Sequence, residues 1–320
     1  MFGYAALVCL AAVLFWLDPI LRVVAPSVLD APVLRKTPRP PINEALLALE
    51  DDSLETEDLT CPDDAYTVHI FSKAPLVLYV ENFLSLAERR HLIEISAPIY
   101  EASTVTHDGG GTVQRNATVR DSEVAVVPRT DVVRCIEGRA RRLQGWRDDL
   151  WIERLRVQRY QAPSGHYSYH YDWSRSGAAT GGWGRVSSLM VFVDDGSLDD
   201  SVDGREAVPL QGGGTAFPRL PRRSTDRRWC AFIGCGRGRG TDTDNTGHGA
   251  DDAGADDAEY SSTDNSTGVV FLPVVGNAVF WENFRPDSTG RAYEETWHAG
   301  LRVRQGVKVG LNIWSWGRVD

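Results

Sequence analysis

The chain has 320 residues, a formal net charge of −10, 42% hydrophobic residues and ten tryptophans. That length fits one large domain or one domain with appendages, and the apolar content excludes a disordered chain. Eight acidic side chains and no lysine or arginine fall within 241–267, so the remainder carries only −2. With no basic stripe and no nucleic-acid-binding motif, the charge argues against RNA or DNA as a partner.

From the N-terminus, Tyr4 to Leu17 is an uncharged run of fourteen apolar or aromatic residues, followed by Asp18-Pro19 and Arg22. Fourteen is short for a spanning helix and suits a signal-peptide core. Val23-Val24-Ala25 runs into Pro26 and makes a poor cleavage site, so a cleaved signal peptide and an uncleaved signal anchor over 1–24 both stay open. Either one predicts delivery to the secretory pathway, with an endoplasmic reticulum lumenal or membrane location on a single-pass type II anchor, or secretion after cleavage as the alternative; an uncleaved anchor makes the membrane a partner. The sequons Asn116-Ala117-Thr118 and Asn265-Ser266-Thr267 agree with a lumenal body.

Residues 25–65, with Pro26, Pro32, Pro38, Pro40 and Pro41, read as a proline- and acid-rich stem. A single body is expected over 66–320, with its core at 151–318. Ser85-Leu86-Ala87-Glu88 is a capping box that opens a helix running to about Ser96. Val132, Val133, Ile136, Ala140 and Leu143 recur at helical spacing after Thr130, and Gly145 ends that run. From Trp151 the pattern turns to strands: around Leu155 to Tyr160, Val186 to Val193, Val269 to Leu272 and Ala278 to Trp281. Helices first and short strands later predict an α+β fold, a sheet-based barrel buttressed by helices.

Residues 236–267 are rich in Gly, Asp, Thr, Ser and Asn, and predict a disordered acidic insertion. Asp242 to Gly247 fails as a calcium loop because Thr246 and Ala253 stand where acidic ligands are required. Beyond Cys9 there are four cysteines, which permit three pairings. Cys230 with Cys235 would leave Cys61 with Cys135, and free buried thiols are the alternative. No CxxC spacing supports zinc.

His170-Tyr171-Asp172 carries the strongest chemical signal. Strand alternation sends His170 and Asp172 to one face, and His298 from a neighbouring strand would complete two imidazoles and a carboxylate. That donor set suits non-haem Fe(II) with open coordination positions. In Val307 to Trp314, Lys308, Gly310, Asn312 and Trp314 share one face, while Val307, Val309, Leu311 and Ile313 share the other. A lysine held inside a barrel needs an anionic partner.

In order, Tyr160-Gln161, Gly165 to Asp172, Gly212-Gly213-Gly214-Thr215-Ala216-Phe217-Pro218, His298 and Lys308 resemble the prolyl 4-hydroxylase branch of the Fe(II)/2-oxoglutarate dioxygenases, over about Leu76 to Arg318. The resemblance implies a double-stranded β-helix, or jelly roll. It implies iron held by His170, Asp172 and His298, and the distal carboxylate of 2-oxoglutarate on Lys308. Tyr160 and Trp314 would line the same pocket. It also implies use of O2, release of succinate and CO2, ascorbate as the rescuing reductant, and 4-hydroxylation of proline-containing polypeptides. Phe192 stands where many relatives carry a tyrosine, and Asp121 departs from an Arg-Thr-Ser loop that encloses peptide. The readings left beside it are the same chemistry on lysine or a small molecule, and a membrane-anchored jelly-roll binding protein without catalysis.

Overall fold

A computed structural model describes residues 39–40, 42–50, 59–106, 113–145, 147–173, 182–198, 208–222, 227–235, 268–287 and 289–319. The apolar segment 1–24, most of the stem, Asn265 and the 236–267 insertion lie outside the described residues. Among those described, no helix is long and apolar enough to cross a membrane.

Residues from Pro40 onward form one compact unit, built mostly of antiparallel sheet with few helices. Its larger sheet has nine strands. In spatial order the path runs Thr67–Lys73, Leu76–Glu81, Ala278–Glu282, Trp183–Asp194, Val307–Arg318, Arg156–Gln161, Glu123–Val126 and Glu101–Ala102, with Trp151–Ile152 pairing beside the Val307–Arg318 strand. A smaller sheet has five strands, in the order Val269–Phe271, Thr215–Phe217, His298–Gly300, His166–His170 and Arg120–Asp121. This arrangement is consistent with a jelly roll.

The predicted alternation decides how the layers stack. Leu189, Val191, Val309, Leu311 and Ile313 point to the helical side and share a core with Leu92, Val133, Ile136 and Ala140. The opposite face of the large sheet sends Phe192, Tyr79 and Trp281 into a second core with Phe217 and Phe271 of the small sheet. Both predicted helices form. Leu86–Ser96 starts on the Ser85–Glu88 capping box, in which Ser85 N donates to Glu88 Oε2 at 2.8 Å. Asp131–Leu143 starts on Thr130, whose hydroxyl accepts from Val133 N at 3.3 Å.

The stem boundary moves. Leu47 and Ala48 are buried, and Ala48 N donates to Ile152 O at 2.8 Å. Arg129 donates to Glu50 at 2.8 Å, and Asp64 accepts from Arg139 and Arg142. A disulfide joins Cys61 to Cys135 in the second helix, and another closes Cys230 to Cys235. Proline and acid content made 42–65 look like free linker. Its few apolar residues and Cys61 nevertheless dock on the body in the described parts, because burial depends on where side chains land rather than on average composition.

Candidate metal centre and cosubstrate cavity

His170 ends one strand of the small sheet and His298 begins its neighbour, and the two are register partners. Asp172 follows two residues after His170. One ligand atom from each of the three lies within 4.8 Å of the other two. His170 Nε2 is 3.6 Å from Asp172 Oδ1, and His298 Nε2 is 3.9 Å from Asp172 Oδ2. Asp172 and His298 are 7% and 6% exposed.

Local hydrogen bonds prepare the imidazoles to coordinate. His170 Nδ1 lies 2.8 Å from Ser168 O, and His298 Nδ1 lies 2.9 Å from Thr296 O. Carbonyls only accept, so both Nδ1 atoms carry the proton and both Nε2 lone pairs are free to coordinate. Burial pushes His298 down to about 4, with His170 adding to the shift and Asp172 opposing it. Burial alone would raise the Asp172 carboxyl. His298, His170 and Arg185 outweigh it and hold the group well below the usual carboxylate range. The set is therefore two imidazoles and one anion, the donors of a ferrous centre with open positions.

Lys308 stands on the facing sheet, paired in register with Tyr160, and is 4% exposed. Among the described residues no carboxylate lies within ion-pairing distance of it. Its ammonium has two aromatic rings nearby, 5.4 Å from the Tyr160 ring centre and 5.3 Å from that of Phe192. Burial alone pushes its pKa down to about 7. Phe192 thus supplies a ring face but no hydroxyl. Tyr160 directs its own hydroxyl to Gln158 Oε1 at 2.7 Å.

Lys308, Tyr160 and the three metal-side residues line one cavity. So do Gln158, Thr215 and Trp281, and in each of these a buried polar atom (Nε2, Oγ1 and Nε1) has no hydrogen-bond partner. Buried polar groups are rarely left without partners. Three of them beside an unpaired ammonium fit a small anion rich in oxygen. Trp314 does not line this cavity. It lies on the Lys308 face as predicted, but further along the strand, with Arg185 at 4.1 Å and Arg156 at 5.6 Å from its ring centre.

Tyr167 was not apparent from the sequence. Tyr167 pairs with Gly300 and His170 with His298, three residues against two. The extra residue is a β-bulge, and it turns Tyr167 to the same face as His170. Tyr167 therefore lines the cavity, its ring centre 3.7 Å from that of His170. His166 points elsewhere, with Nδ1 2.8 Å from Ser164 O. Counting back from His170 in twos selects His166 and Ser168 instead, and no residue type in the run announces the bulge.

The glycine run before Thr215 has a steric reason. Gly212 has φ +82°, and a Cβ there would sit 2.2 Å from Arg302 O. Gly213 has φ +70°, and its Cβ would lie 3.1 Å from Lys308 Cδ.

No family model and no curated relative matches the chain. Among solved structures it is similar to the viral collagen prolyl hydroxylase of Paramecium bursaria Chlorella virus-1, solved with 2OG, at 21% identity over 75% of this chain and 96% of that one, TM-score 0.45. It is also similar to a prolyl-4-hydroxylase of Pseudomonas putida, at 13% identity over 76% and 92%, TM-score 0.39. A third is a prolyl hydroxylase from Trichoplax adhaerens in complex with a hypoxia inducible factor peptide fragment, at 11% identity over 75% and 83%, TM-score 0.41. These likenesses are distant, and the chemistry assigned to this chain rests on its own residues.

Proposed function

We propose that this chain is an Fe(II)- and 2-oxoglutarate-dependent dioxygenase that hydroxylates prolyl residues of polypeptides at the 4-position, on a double-stranded β-helix. The carrying observation is the pairing of two sites in one cavity: the His170, Asp172 and His298 donor set, and the buried Lys308, which has no counterion among the described residues. Any transition metal could use the first. The second asks for an anion long enough to reach from metal to ammonium, and a dicarboxylate answers it.

When bound, Fe(II) supplies the oxidising chemistry that couples decarboxylation of 2-oxoglutarate to hydroxylation of a substrate C–H bond by O2. Lys308 receives the distal carboxylate, and Thr215, Gln158 and Trp281 are placed to complete its polar contacts. Tyr160 and Phe192 wall the lysine from water, which strengthens the ion pair. Arg185 donates to the Asp172 backbone carbonyl at 3.3 Å and is itself held by Glu153, so it fixes where the one anionic ligand stands. Ascorbate is the reductant expected for iron oxidised without substrate. Prolyl specificity rests on the ordered motifs, and a secretory location is supported by two disulfides and the Asn116 sequon.

The test is succinate formation by purified protein with Fe(II), 2-oxoglutarate and ascorbate over a panel of proline-containing peptides, with hydroxyproline sought by mass spectrometry. Succinate that tracks peptide hydroxylation supports the proposal. No iron-dependent succinate under any condition refutes it, and succinate coupled to hydroxylated lysine would move the substrate.

A further inference from the structure

Three arginines, Arg120, Arg156 and Arg185, lie close enough for the charges of the other two to act on Arg156, and Arg185 reaches the Asp172 carbonyl. Arg185 is fully engaged, by Glu153 at 2.5 and 3.0 Å and by the Asp172 carbonyl. Trp316 also donates to that glutamate. The other two are not matched. Arg120 donates to Ser122 Oγ at 3.1 Å and lies with Cζ 4.6 Å above the Tyr167 ring, leaving a buried Nη2 without a partner. Arg156 stands beside Trp314 with a buried Nε that also has no partner. Among the described residues no carboxylate pairs with either arginine.

Both are placed to meet a substrate. Arg156, Gln158 and Tyr160 alternate along one strand, and Arg156 pairs in register with Asn312. Gln158, Tyr160 and Asn312 line the cavity, so Arg156 shares their face, one step further from Lys308. Arg120 pairs with Tyr167, which also lines it. Burial holds the Arg156 guanidinium below its ordinary value, Arg185 and Arg120 add to the effect, and Glu153 opposes it.

The proposed iron and cosubstrate do not resolve this excess. A ferrous ion, Asp172, Lys308 and dianionic 2-oxoglutarate neutralise one another, and Glu153 answers only one arginine. Both arginines are half-buried, each with one buried nitrogen left without a partner; such groups are costly to leave unmatched, and guanidinium forks match carboxylates. We propose that Arg120 and Arg156 receive the carboxylate of an acidic residue in the polypeptide substrate, so that the enzyme selects prolines lying near Asp or Glu. The inference rests on the reading that this site hydroxylates a polypeptide.

The experiment measures anisotropy of labelled single-proline peptides, with Glu or Gln placed in turn at each neighbouring position, on anaerobic full-length protein holding Fe(II) and 2-oxoglutarate. At one position or more the Glu peptide should bind about ten- to hundredfold tighter than its Gln twin, and the gap should shrink with salt. Arg156→Gln and Arg120→Gln should each move that ratio toward one, and Arg156→Lys should retain part of it. Without peptide, Arg156→Gln should melt no lower than the parent, because it removes a half-buried charge that no carboxylate among the described residues pairs with. A ratio near one in the parent, including no measurable binding of either peptide, overturns the inference, as does a ratio that survives both Gln variants. If Arg156→Gln does not fold, Arg120→Gln and Arg156→Lys decide. Loss of succinate formation in the parent would instead refute the dioxygenase reading, and the binding ratio is measured independently of it.

Discussion

At the scale of single residues, the cavity separates metal holding from cosubstrate holding, and the two should fail separately. Asp172→Ala removes the only anionic ligand, so Fe(II) affinity and turnover should both collapse; undiminished iron binding in a metal titration would refute the centre. Lys308→Ala should leave iron affinity nearly unchanged while weakening 2-oxoglutarate by about ten- to hundredfold, the size of a lost charge-assisted contact. Lys308→Arg should recover part of this, since the charge persists on a different shape. An anaerobic 2-oxoglutarate titration reads the effect, and parental affinity in Lys308→Ala would place the cosubstrate elsewhere.

At the scale of elements, two glycines form a matched pair for testing the strand that passes Lys308. Gly213 and Gly145 both have positive φ, but only at Gly213 would a Cβ press on Lys308; at Gly145 nothing lies within 4 Å. Each alanine substitution should cost about 1–2 kcal/mol of stability from left-handed strain. Only Gly213→Ala should also weaken 2-oxoglutarate, and equal cosubstrate affinity in the two variants would remove the steric role. Elements that depend on local signals were legible in the sequence: the Ser85 box, the Thr130 cap, and the alternation around Lys308 that separates cavity from core. His170 and Asp172 were legible as an alternating pair, although the strand itself ends at His170 and Asp172 lies just beyond it; His298, on a separate strand, was legible through the ordered motifs of the resemblance. What escaped needed information from a second strand. The bulge that turns Tyr167 inward exists only in the pairing with His298–Gly300, and Arg120 meets Tyr167 across a sheet joined from distant segments. The docked part of 42–65 escaped for a similar reason, since its partners Ile152, Arg129 and Cys135 lie 74 or more residues away.

At the scale of the whole molecule, the buried lysine writes a pH dependence. Its folded pKa, about 7, lies below the unfolded 10.5, so between those values the unfolded chain binds more protons, and ligand-free stability rises with pH. Below pH 7 the full burial penalty is present. Replacing Lys308 with Met should therefore raise the melting temperature most below pH 7, with the gain vanishing towards pH 10.5. A gain independent of pH would mean that the lysine is not desolvated. Binding has the opposite sense: above pH 7 the free protein must take up a proton to hold the dicarboxylate, so 2-oxoglutarate affinity should fall up to tenfold per unit.

Lys308 has one more consequence, and it concerns how long the protein lasts rather than what it catalyses. An unfilled cavity keeps an unmatched charge, and only the native state offers a place to match it. A ligand at a hundred times its dissociation constant adds about 2.7 kcal/mol to stability, a large share of the margin by which most domains stay folded. The cosubstrate thus doubles as a conformational guardian. When 2-oxoglutarate is scarce, more chains open and meet quality-control proteases, and the abundance of the protein comes to follow the supply of its metabolite.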